Sequence, residues 1–73
     1  MTRPVEIVDD VIRLGQLLQL AGIVDSGSDA KFLLAGGEVT VDGEVETRRG
    51  RQLRPGAVVA ALGETVQLVQ AEG

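Results

Sequence analysis

Four arginines, Arg48, Arg49, Arg51 and Arg54, fall within seven residues of a chain whose formal charge is −4. A guanidinium is a planar fork of N–H donors that matches phosphate oxygens in pairs, so this density suits gripping a phosphate backbone. Residues 47–56 hold no acid and carry +4, while the other three bases and eleven acids come to −8. Net charge alone argues against a nucleic-acid partner, because such binding is driven largely by counterions released at basic side chains. The uneven distribution reverses that argument by leaving one concentrated positive segment. The competing expectation is a solvated loop whose arginines are neutralised by Glu38, Asp42, Glu44 and Glu46.

Other chemistry is thinner. Lys31 falls near the start of an expected helix, where a bound phosphate would be favoured, or else it is a surface lysine paired with Asp29 or Glu38. Ser28 could touch a phosphate at the same helix start, although Asp25 and Asp29 oppose an anion there. Arg13 is either a further contact or a partner for Asp9 or Asp10. The close carboxylates Asp9-Asp10 and Glu44-x-Glu46 read as a solvated polar face, since the chain has no histidine and no cysteine to complete a metal or nucleophilic site. No enzyme activity, metal or cofactor is expected. Phe32, the one aromatic residue, is assigned to the core beside Leu33 and Leu34. Without exposed aromatics, recognition by shape and phosphates is favoured over stacking on unpaired bases.

The elements that must position these residues follow from periodicity. Val5 to Val8 reads as a short strand. Leu14, Leu17, Leu18 and Ala21 recur at helical spacing, and Gly22 ends that helix. Ser26-Gly27-Ser28-Asp29 carries the capping pattern for a second helix, whose buried side is assigned to Ala30, Phe32, Leu33 and Leu34 and which stops at Gly36-Gly37. The period then becomes two. Val39 and Val41 lead through Asp42-Gly43 to Val45, a hairpin signal with two registers: a two-residue loop pairs Thr40 with Val45, and a three-residue loop ending at Gly43 pairs Val39 with Val45. The second is favoured because it puts the valines on one face. Residues 48–56 have no apolar period and close on Pro55-Gly56, so an exposed connection is expected. Val58 to Leu62 and Thr65 to Val69 supply two further strands around Gly63-Glu64.

At 73 residues, with 44% apolar side chains and a nearly all-aliphatic core, residues 1–73 are expected to form a single domain. The absence of cysteine fits a cytoplasmic protein, and no apolar run is long enough for a signal peptide or a membrane span. The fold class is α+β: two short packed helices followed by a small, mostly antiparallel sheet.

Three segments in this order carry a resemblance: I-R-L-G-Q-L-L-Q-L-A-G from Ile12, S-G-S-D-A-K-F-L-L from Ser26, and V-D-G-E-V-E-T-R-R-G-R-Q-L from Val41. Together they resemble the RNA-binding domain named after the fourth ribosomal protein of the small subunit, with its alpha-L motif, and in particular its small free-standing bacterial branch of the YbcJ and YaaA type. The resemblance covers nearly the whole chain. It implies a monomeric, non-enzymatic module, ribosome-associated in some members, that binds structured RNA of the ribosomal or transfer class. It assigns the contacts to Ser28, Lys31, Arg48, Arg49, Arg51 and Arg54. Two positions depart from the pattern: Gly27 stands where a basic residue often follows the capping serine, and Ala57 where an acid usually follows the glycine. One alternative is a protein-interaction module that presents the arginines to an acidic partner. Another is a ubiquitin-like sulfur carrier, which would need a terminal Gly-Gly where this sequence has Ala71-Glu72-Gly73.

Overall fold

The apolar stripe read from the sequence forms the first helix. In the computed structural model, which describes residues 2–71, α1 (Leu14–Leu20) buries Leu14, Leu17 and Leu18 completely, and Ala21 continues the same face. The second helix, α2 (Gly27–Ala35), starts where the Ser26 hydroxyl accepts from the Asp29 amide at 3.2 Å, satisfying one of the unpaired amides of a helix start. α2 packs on α1, but through a narrower face than expected. Ala30 and Leu34, four residues apart, are buried and Leu33 is half-buried. Phe32 stands two residues from both buried positions, which on a helix is the opposite side, and it is 78% exposed. Its assignment to the core is therefore corrected, and the premise that no aromatic is exposed falls with it.

Five strands make the main sheet: β1 (Thr2–Ile7), β3 (Val39–Val41), β4 (Glu44–Val45), β6 (Val58–Ala61) and β7 (Glu64–Gln70), in the order β1-β7-β6-β3-β4. β1 runs parallel to β7 and the other neighbours are antiparallel, giving the expected α+β class with a mostly antiparallel sheet. The inward residues Val5, Ile7, Val39, Val41, Val59, Ala61, Val66 and Leu68 alternate along their strands and meet the leucines of both helices in one core. A separate two-stranded ribbon joins β2 (Ile12–Arg13) to β5 (Gln52–Leu53). The segment after Arg48 is thus not wholly an exposed connection, because Leu53 is 2% exposed and belongs to the core. No helix among the described residues is long and apolar enough to cross a membrane.

The first hairpin takes the two-residue loop, and the favoured three-residue register is corrected. Thr40 pairs with Val45 and Val41 with Glu44, so the loop is Asp42-Gly43 alone. Both loop residues have positive φ, 51° and 88°, the mirror-image turn whose twist matches that of paired strands. Turn geometry outweighs the tendency of three valines to share a face. Val39 and Val41 point inward, Val45 is 61% exposed, and Glu46, opposite Val39, turns toward the interior.

Candidate nucleic-acid interface

The inward turn of Glu46 organises the arginine segment. The residue is 7% exposed, a burial that requires partners for its carboxylate, which accepts five hydrogen bonds. One oxygen accepts from the Thr47 amide at 3.0 Å and from the Arg48 amide and Nε, each at 3.2 Å. The other accepts from Arg48 Nη2 at 3.2 Å and Arg51 Nη1 at 2.8 Å. The guanidiniums of Arg48 and Arg51, helped by the two amides, outweigh the effect of burial and hold the Glu46 carboxyl at about 2, while the carboxylate raises the pKa of Arg48.

The turn is also tied to α1. The Leu14 amide donates to the Arg51 carbonyl at 2.8 Å and the Gly15 amide to the Arg49 carbonyl at 3.0 Å, so two amides at the start of α1 are satisfied by the turn's backbone. Gly15 faces the Arg49 side chain closely: a Cβ there would lie 3.5 Å from Arg49 Cβ. With β5 paired to β2 just beyond, the arginine segment is held by the Glu46 carboxylate, through its own carbonyls and at its end.

The expected contact residues are not gathered at one point. Arg49 joins Arg13, Gln16, Gln19 and Gly27 around a groove of about 300 Å³ where the turn meets both helices. Arg51 and Arg54 share a neighbouring concavity with Asp42 and Pro55. Arg48 is exposed while bound to Glu46, its side chain remaining 74% accessible. Ser28 and Lys31 are exposed on the first turns of α2 and line neither hollow. Among the described residues, Arg13, Lys31, Arg49 and Arg54 form no ion pair, and of the four acids that could neutralise the turn only Glu46 does so. Gln16 and Gln19 were missed by sequence reasoning; their spacing from Arg13 along α1 was the available signal.

The match to the S4 domain extends over residues 5–69, nearly the whole chain. The chain belongs to the S4 domain family. It is 44% identical over 63 residues to a protein of Bacillus subtilis named as a probable ribosome maturation protein, RlbA, spanning 86% of this chain and 89% of that one. It is 43% identical over 58 residues to the putative RNA-binding protein YbcJ of Escherichia coli, spanning 80% and 83%. The solution structure of YbcJ, described as revealing an alpha-L motif involved in RNA binding, superposes with a TM-score of 0.64 at 40% identity, covering 93% of this chain and 85% of YbcJ. A tyrosine–tRNA ligase of Thiobacillus denitrificans is 44% identical over 54 residues, which make up 74% of this chain and 14% of the ligase. S4 membership sets aside the sulfur-carrier reading.

Proposed function

We propose that this S4-family chain binds structured RNA, of the ribosomal or transfer class, without catalysing a reaction. Arg48, Arg49, Arg51 and Arg54 grip phosphates, and Lys31 and Ser28 extend the contact along α2. The observation that carries the reading is the Glu46 clamp: a buried carboxylate holds Arg48 and Arg51 in a fixed turn and leaves Arg49 and Arg54 with no ion pair among the described residues. A turn already ordered before binding loses less side-chain and loop freedom on meeting RNA. The names of its relatives, RNA-binding and ribosome maturation proteins, support the same partner. The protein acts as a cytoplasmic monomer on ribosome-associated RNA in this reading.

The test is RNA crosslinking in cells followed by sequencing of the bound RNA, with Arg48, Arg49 and Arg51 changed to Glu as the comparison. The unaltered protein should recover a defined RNA set and the variant should not. In vitro, log affinity against log salt should fall with a slope of roughly −2 to −5 if three to five basic side chains displace counterions. Equal recovery by both proteins, or affinity indifferent to salt, would overturn the reading.

A further inference from the structure

The second two-residue hairpin loop, Leu62-Gly63, joins β6 to β7, since Ala61 pairs with Glu64. Its φ values, 52° and 77°, repeat the mirror-image turn of Asp42-Gly43. The first position of that turn suits Asn, Asp or Gly, and an ordinary side chain there crowds the backbone. Leu62 is nevertheless present and 61% exposed. It offends both turn chemistry and solubility.

Leu62 lines a groove of about 420 Å³ with Phe32 and Leu33 of α2. Phe32, the chain's one aromatic side chain, is 78% exposed there. Asp25, Asp29 and Glu38 also line the groove, and no lysine or arginine does. The smaller apolar hollow beside Val8 and Leu20, of about 210 Å³, has no such aromatic and no backbone outlier.

We propose that the Phe32–Leu62 groove docks a cationic protein segment that carries apolar anchor side chains. Charge selects the occupant. Three carboxylates repel the phosphates that would accompany a base stacked on Phe32, and they attract lysines or arginines flanking an apolar anchor. A second copy joined through the same face would bring like charges together. The arginine turn of another copy offers the right charge but no anchor, because Leu53, its apolar residue of comparable size, is 2% exposed. Contacts of this kind concentrate in an aromatic anchor ringed by polar groups, the arrangement found here. This inference does not rest on RNA binding, although a chain doing both would join an RNA to a basic protein.

The test is titration of isotopically labelled protein, followed by amide resonances, with three synthetic peptides. One places leucines and lysines at helical spacing, the second replaces lysine by glutamate, and the third replaces leucine by serine. The first peptide should shift the amides of Val24, Phe32, Leu33 and Leu62, and the other two should bind at least about tenfold more weakly. Phe32→Ser and Leu62→Asn should each weaken the first peptide by about tenfold, and Leu62→Asn suits its turn, so loss of binding there is not loss of fold. Both variants should keep the salt-dependent RNA affinity of the parent. The proposal is overturned by equal binding of all three peptides, by shifts centred on residues 48–54, by indifference to both substitutions, by concentration-dependent self-association through the groove, or by a loss of RNA affinity in Phe32→Ser. Failure of the arginine variant to lose RNA would reject the RNA reading alone and leave this one standing.

Discussion

The two tight hairpins have the same backbone and opposite chemistry. In both, the two loop residues take positive φ. At the first, Asp42 tolerates that conformation, and its carboxylate also accepts from the Val58 amide at 3.0 Å, tying the turn to the next strand. Four residues on, the register of that hairpin turns Glu46 inward, where it clamps the arginines. At the second, Leu62 takes the strained position, and its side chain is 61% exposed. Residues of the first turn are accounted for by the fold they build. The residue in the second breaks a local rule while leaving most of its side chain in water, the kind of break that singles out a position for a test of use outside the fold.

The largest effect should come from severing what the first hairpin organises. Glu46→Gln preserves volume but removes the charge that draws five hydrogen bonds, so the melting temperature should fall at neutral pH. Because folding holds the carboxyl at about 2, below its ordinary 4.5, the ionised clamp contributes fully above 4.5 and is lost as pH falls through about 2. Thermal melts across pH should therefore show the gap between parent and variant shrinking below 4.5 and closing below about 2. A constant gap would mean that Glu46 acts through shape and not charge.

Next in size is Val39→Ala. Val39 is fully buried opposite Glu46, and losing two carbons there should cost about 2–3 kcal/mol in denaturant unfolding. Asp42→Leu would recreate the second turn at the first, forfeiting both the tolerant side chain and the Val58 bond, for a loss of about 1–2 kcal/mol. The reciprocal change, Leu62→Asn, should stabilise the protein by about 1 kcal/mol. If Leu62→Asn destabilises it instead, the leucine has a structural use and the contrast between the hairpins disappears.

These positions also show why part of the molecule was legible in the sequence and part was not. The stripe Leu14, Leu17, Leu18 and Ala21 and the Ser26 cap are local patterns within one helix, and local patterns survive folding. The hairpin register is not local in that sense. Asp42-Gly43 admits two loops, and choosing between them by grouping valines gives weight to burial while ignoring twist. A slip of one residue exchanges the faces of Val45 and Glu46, so the error in register is also why Glu46 read as a solvated acid. Leu53 stood alone among polar residues, with no period to betray that β5 pairs with β2. Phe32 was misplaced because four apolar residues in five cannot all share one helix face, and only the neighbouring elements decide which are covered. The arginines were legible as a cluster, but the placing of Arg49 in one hollow depends on α1 and α2 meeting the turn, and that of Arg51 and Arg54 in another on the nearby Val41 and Asp42.

The smallest effect is the sharpest test of that register. Val45 is a β-branched residue in a strand, directly across from Thr40, and at 61% exposure it covers little that water does not already reach. Val45→Thr keeps the branch and the strand preference, so stability should change by no more than about 0.5 kcal/mol. In the slipped register Val45 would face Val39 inside the core, and an added hydroxyl there would cost as much as Val39→Ala or more. Near-neutrality at Val45 beside a large loss at Val39 places Glu46 on the inner face, because side chains alternate along a strand. The charged clamp, and the arrangement of the arginines that depends on it, follow from that alternation.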